Sequence, residues 1–305
     1  MEFTNFLTLV KEEVEKRAGD NYNIKINDVI KNNGIVLSGL TVMEDDSNIS
    51  PTIYLNNYFD AYEKDEISLD CVVENVMEAY EKNKVCKSVD IKYFFDYSKV
   101  KDRIIYKLVN TKKNKKLLED IPHINFHDLS IVFQFLIAEE PFGTATILIH
   151  NAHIRIWDVS VEELYETACQ NTPRLNKYSI KGVKETIMEM LSTETKEEFA
   201  DNEFDIGKSD GIPMYVLSNE NRINGAACML YPELIKDFSK AVNNNLFIIP
   251  SSVHEVLLLP TENSTDSEEI KEMIREINST QVEADEVLSD SVYYYDRFLD
   301  EILIM

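Results

Sequence analysis

Glycine and proline are scarce in this chain, eight of each in 305 residues. So few leave little material for long flexible linkers. Basic residues are also outnumbered: 31 Lys and Arg stand against 55 Asp and Glu, a formal charge of −24. An acid excess of that size repels phosphate backbones, so generic nucleic-acid binding would need a local basic patch. The best run, TKKNKK from Thr111 to Lys116, has no Arg and no interleaved aromatic. It reads as the solvated face of a helix. No apolar run approaches the ~18 residues of a membrane span. The opening MEFTNFLTLVKEEVEKRAG has neither a basic leader region nor a small-residue cleavage site. The four cysteines, Cys71, Cys86, Cys169 and Cys228, form no C-x-x-C pair. That pattern fits free thiols in a reducing compartment rather than a disulfide framework. A cytoplasmic location without a membrane partner is the expectation.

Nucleotide signatures are missing as well. Gly207-Lys208 lacks the earlier glycine of a phosphate-cradling loop, and no G-x-G-x-x-G occurs. Ser98 to Lys101 matches S-x-x-K without its companion motifs. The acidic loops at Asp45-Asp46 and Asp201 to Asp205 lack the ligand spacing of an EF-hand. No cofactor is expected.

What is present is an ordinary globular composition, 44% hydrophobic and 28% charged. The acid excess serves solubility. A surface imitating DNA is a sharper reading, but acidity alone says nothing of charge spacing. Phe3, Phe6, Leu7, Val10 and Val14 recur at helical spacing. YNIKINDVI and IVLSGLTV flank Asn33-Gly34, a pair that tolerates the positive φ of a tight hairpin. After the EDDSN loop, ISPTIYL reads as a third strand, and two helical patterns run from Asn56 to about Lys84. A boundary is placed in NKVCKSVD, giving an N-terminal α+β unit over 1–90 and a larger one over 91–305. In the second unit RIIYKLVN is a strand, KKNKKLLED a short helix, and a run of strands extends from Phe126 to Trp157. Ser160 and Glu163 form a capping box for a helix that Pro173 ends. A further helix is expected over Ile180 to Leu191, an acidic loop over Ser192 to Gly211 and a strand at MYVLSN. GAACMLYPELIKDFSKAVNNN opens with small residues and becomes a helix beyond Pro232. Thr265 and Glu268 cap the helix that carries Ile270, Met273, Ile274 and Ile277. The fold class is α+β: antiparallel hairpins and a meander packed against helices.

KNNGIVLSGL, ISPTIYLNNYFDAY, PHINFHDLSIVFQF, PSSVHEVLLLP and VLSDSVYYYD together resemble a family of bacterial proteins known as a domain of unknown function. The resemblance runs over nearly the whole chain. It implies an intracellular bacterial protein and carries over no catalytic residue.

Chemistry-bearing residues gather in two places. PSSVHEV, 250–256, sits between LFII and VLLLP. A metal-binding helix fails there, since the fourth position after His254 is Leu258, and a nucleophile elbow lacks its glycines. A looser Ser252–His254 pair remains, because the two alternate onto one side of an extended chain. The plain alternative is a polar bend between two buried strands.

The other four histidines, His123, His127, His150 and His153, lie in one segment. Leu129, Ile131, Phe133 and Phe135 alternate onto one face, as do Ala145, Ile147 and Ile149, and Ile154 and Ile156. Taking EEPFG and Asn151-Ala152 as turns pairs Ala138 with Thr144, Phe133 with Ile149, and His150 with His153. Every apolar set then shares a face. The opposite face gathers His150, His153, Arg155, Trp157, Gln134 and Ser130, with Asp128 at the end of the first strand. Asp128, His150 and His153 are therefore the candidate metal ligands or acid/base groups, against a plain polar sheet face. Two function classes follow. One is a non-catalytic interaction or regulatory protein with an unidentified protein partner. The other is a hydrolase or metal-dependent enzyme using Asp128, His150 and His153, or Ser252 and His254.

Overall fold

The computed structural model describes residues 1–44, 50–84, 91–140, 143–183, 185–186, 213–250, 252–261 and 267–305. Most of EDDSN, the boundary stretch 85–90 with Cys86, the tip of EEPFG, Gly207-Lys208 and the acidic stretch 192–211, Ser251 and the Thr265 cap lie outside them. The backbone divides into two compact units, Met1–Phe95 and Asp96–Met305.

The first unit opens with α1, Phe3–Ala18, whose buried face is Phe6, Val10 and Val14. The hairpin of β1 (Tyr22–Ile30) and β2 (Val36–Glu44) turns through Asn33 and Gly34. Both adopt positive φ, 60° and 71°, as an Asn-Gly pair permits. A short β3, Thr52–Tyr54, pairs with β2 to complete an antiparallel sheet. Helices α2 (Asn56–Glu63), α3 (Leu69–Asn83) and α4 (Ile91–Phe94) follow. The hydroxyl of Ser68 accepts from the Cys71 N–H at the start of α3. Val72, Val73, Val76 and Tyr80 join Phe6, Val10, Val14, Leu40 and Val42 in one core, the expected amphipathic stripe laid on the sheet.

The second unit holds two antiparallel sheets. After α5 (Tyr97–Val100), the first comprises β4 (Ile104–Asn110), β5 (His123–Phe126), β6 (Leu129–Glu140) and β7 (Gly143–Leu148), all paired to the long β6, with α6 (Lys115–Leu118) between β4 and β5. The anticipated register holds where it matters most: Gln134 opposes Leu148, and the Ile149 N–H donates to the Phe133 carbonyl at 2.9 Å. A bulge between Leu136 and Ala138 then absorbs one residue, so Ala138 opposes Ala145 rather than Thr144.

The third strand of the expected meander is instead a helix, α7, Asn151–Trp157. Asn-Ala has no glycine to make a two-residue hairpin turn. The Asn151 N–H and side-chain amide donate to the carbonyls of Asp120 and Glu119, which turns the chain away from the sheet. Ile149, His153 and Trp157 then repeat every four residues, a helical period. α8, Val161–Leu175, follows, capped at Glu163 N–H by the Ser160 hydroxyl; Pro173 lies inside its last turn rather than ending it.

The second sheet has the order β13-β12-β10-β11-β9-β8. Its strands are β8 (Tyr178–Gly182), β9 (Tyr215–Asn219), β10 (Leu246–Ile249), β11 (Val256–Pro260), β12 (Tyr293–Asp296) and β13 (Glu301–Ile304). Of the helix expected over Ile180 to Leu191, the first three residues are strand, since Tyr178 to Gly182 pair with β9 residue for residue; Val183, Glu185 and Thr186 are helical, and the remainder lies outside the described residues. A 3-10 turn over Gly225–Leu230, α9 (Leu234–Val242) and α10 (Ser267–Thr280) complete the unit.

Candidate functional site

Asp128 occupies a two-residue turn between β5 and β6, where Phe126 pairs with Leu129 and His127 takes φ 53°. Its carboxylate gathers hydroxyls from the far end of the sequence. Ser289 Oγ donates at 2.6 Å and Ser291 Oγ at 3.1 Å to Oδ2, and the Tyr293 hydroxyl donates to Oδ1. Burial and that contact push the Tyr293 phenol far above its ordinary pKa, so it stays a donor. His127 serves the same junction: its Nε2 meets the Ile302 carbonyl at 2.8 Å.

His150 and His153 do meet, with ring centroids 5.5 Å apart and perpendicular. They meet across the first turn of α7, not across strands. His153 Nδ1 accepts the His150 backbone N–H at 3.0 Å, which places the proton of a neutral His153 on Nε2. His153 titrates below the ordinary histidine value, first because it is desolvated and second because His150 is beside it. The carboxylate that reaches His150 is Asp120, at 2.7 Å from Nδ1, not Asp128. Asp128 lies five positions along β6 from Phe133, roughly 17 Å at ~3.3 Å per residue. The face expected to expose Ser130 and Gln134 is covered instead, both residues being buried. Val109, Leu118, Ile121 and Val132 pack there.

Ser252 and His254 are close in the chain but not joined as nucleophile and base. The Ser252 hydroxyl accepts the His254 backbone N–H at 3.1 Å. The ring's Nδ1 accepts the Asn224 N–H at 3.3 Å, and its Nε2 faces Glu286 Oε1 at 3.3 Å. Around this ring the chain is knotted tightly. Val253 donates to the Glu286 carbonyl and Ala226 donates to the Val253 carbonyl. The Ser218 hydroxyl donates to the His254 carbonyl at 2.7 Å. Ser252 to Glu255 thus form a polar bend ahead of β11, the backbone groups of Val253 and His254 being taken up by neighbouring segments. Among the described residues no group of three His, Cys, Asp or Glu side chains is arranged to hold a metal ion. Cys71, Cys169 and Cys228 are free thiols, and burial pushes Cys228 up to about 12, which keeps it a weak nucleophile at neutral pH.

The partners of these residues, Asp120, Glu286 and the Ser289–Tyr293 stretch, carried no spacing signal, since each is about thirty residues or more away in sequence. The feature overlooked altogether is the turn between β12 and β13. Phe298 is 88% exposed and Leu299 61%. The turn beneath them is built firmly: Asp296 Oδ1 accepts the N–H groups of Phe298 at 2.8 Å and Leu299 at 3.1 Å. Asp300 receives the Tyr295 hydroxyl at 2.6 Å and Lys236 Nζ at 2.7 Å. Arg297 reaches Asn243 Oδ1 at 2.9 Å, and its N–H donates to Asn245. Beside the turn runs a groove of about 260 Å³ lined by Phe126, Met229, Tyr231, Ile235 and Ile302, with Glu233, Lys236 and Asp300 along it.

No described helix is long and apolar enough to cross a membrane. No curated protein and no solved structure is significantly similar to the chain. Residues 3–297 match one family model, and the chain belongs to the family of unknown function DUF5688.

Proposed function

We propose that the chain acts by binding a protein partner rather than by catalysis, and that the contact is centred on the β12–β13 turn. The observation that carries this reading is an aromatic and an aliphatic side chain, Phe298 and Leu299, held out in solvent on a hydrogen-bonded turn. An apolar anchor whose backbone is already ordered loses little entropy on docking. The adjoining groove mixes apolar with charged side chains, and Leu303, Ile304 and Met305 add further exposed apolar area on the same hairpin. A net charge of −24 favours a partner with a basic rim around an apolar pocket. In support, His153, Ser252 and His254 each use a ring nitrogen or hydroxyl to hold the protein's own backbone, and the His150 ring is taken up by the Asp120 carboxylate.

The test is capture from a lysate of the source cells by immobilised wild type and by Phe298→Ser/Leu299→Ser. A specific partner should be retained by the wild type and bind the variant at least ~30-fold more weakly, the loss of one interfacial hot spot, while both proteins melt alike. Equal capture by the two, or no partner on the wild type, refutes the proposal.

A further inference from the structure

A second feature, independent of the hairpin, lies on the second sheet of the larger unit, over β8, β9 and β11. A cavity of about 300 Å³ is lined there by Lys181, Arg222, Glu220 and Glu255, with Ser179 among its polar residues. Its floor is one face of the sheet. Ser179 opposes Ser218 and Lys181 opposes Val216, and Val216 and Ser218, which also line the cavity, share that face by alternation. Val256 opposes Leu217, so Glu255 comes one step earlier, level with Ser218. Glu255 and Lys181 thus reach the cavity from strands on either side of β9. Their backbones stand roughly 12 Å apart, at ~4.8 Å per strand and ~3.3 Å per residue, and both side chains are long enough to converge.

The walls are fixed by the protein's own hydrogen bonds. The Ser218 hydroxyl donates to the His254 carbonyl at 2.7 Å, beside Glu255. The Asn219 carboxamide donates to the Ile223 carbonyl at 2.7 Å and accepts the Ile223 N–H at 3.1 Å, and the Glu220 N–H donates to the Lys177 carbonyl at 2.9 Å. That pinned turn carries Arg222 at φ 53°, a left-handed conformation that Asn or Gly adopts at less cost. An arginine standing there is a local strain, and such strain gathers at binding sites. The volume lies at the lower end of the ~300–1,000 Å³ of small-molecule sites, which suits a metabolite of amino-acid size. The charges narrow the choice. Two cations and two carboxylates converge, so a simple anion meets repulsion from Glu220 and Glu255, and a simple cation from Lys181 and Arg222. A ligand carrying both signs pairs with both sets. We infer that the cavity binds a free α-amino acid as its zwitterion, the carboxylate on Arg222 and Lys181 and the ammonium on Glu255 and Glu220.

The test is isothermal titration calorimetry of the full chain with each of the common amino acids at millimolar concentration, beside acetate and methylammonium, which carry one charge each. At least one amino acid should bind saturably and raise the melting temperature, while the two single-charge ions do neither. Arg222→Asn removes the guanidinium and suits the left-handed turn, so it should melt at or above wild type. It should nonetheless bind the same amino acid at least ~10-fold more weakly, the loss of one charge-assisted contact. Glu255→Gln, which keeps the shape of the side chain, should weaken binding by a similar factor at the ammonium end. Absence of binding by every amino acid, equal binding of either single-charge ion, or undiminished binding in either variant overturns the inference.

Discussion

Gly225 is the position where a single methyl group should do most damage. A Cβ built there would stand 2.2 Å from Ser218 Oγ, 2.4 Å from the His254 carbonyl oxygen and 2.7 Å from the Asn219 nitrogen. The serine can swing away, but it then abandons its bond to the His254 carbonyl. The other two atoms are backbone, one in β9 and one in the PSSVHEV bend, and each must retreat by roughly 1 Å to reach ordinary van der Waals separation. Overpacking of this kind costs about 1–3 kcal/mol and the lost hydrogen bond about 1 more. Gly225→Ala should therefore destabilise by about 3 kcal/mol, roughly 6–12 °C of melting temperature for a unit of this size. Gly182→Ala is the control. No atom lies within 4 Å of its ideal Cβ, so it should melt at or slightly above wild type as the unfolded chain loses freedom. Thermal unfolding followed by circular dichroism reads both. If Gly225→Ala melts with Gly182→Ala, the close approach of β9, the 3-10 turn and the bend is not what holds them together.

Asp128→Ala should cost about 3 kcal/mol in denaturant unfolding and Tyr293→Phe about 1.5, by loss of charge-assisted hydrogen bonds; the double variant should cost less than the sum, and simple additivity would show that the two do not interact. His153 has a depressed folded pKa, so the unfolded chain binds the extra proton below the ordinary value of 6.5. Its contribution to stability should be whole above that pH and fall as the solution is acidified through the folded pKa; in His153→Gln, which keeps an acceptor at the third helical position, that part of the slope should vanish.

Local patterns carried much of the architecture. The stripe Phe6, Val10, Val14 and the Asn33-Gly34 turn specify their elements through neighbours a few residues apart, and there sequence and structure agree. The register of β6 and β7 was legible for the same reason, until a bulge inserted a residue that no alternation pattern announces. The α7 segment was misread because HIRIW alternates over too few residues to separate a period of two from one of four. What decided it was Asp120 and Glu119 taking the Asn151 donors, a contact across thirty residues. Of the expected groupings His150 and His153 do meet, but the distant partners of the candidate residues were not legible. His150 meets Asp120, His254 meets Glu286 and Asp128 meets Tyr293 through the folding of distant segments. Gly225 was hinted at only by the small residues around it, since close packing calls for small side chains without saying against what.

The imidazole of His127 lies against an outermost ribbon of the larger sheet, where it occupies the Ile302 carbonyl. Lateral growth of a sheet begins when an unclaimed main-chain oxygen on one molecule finds an amide on another. With that oxygen already claimed from within, crowding of many copies should not readily zip their ribbons end to end through β13. The greasy knob a few residues away can thus be offered openly to another protein without the same hairpin seeding fibres.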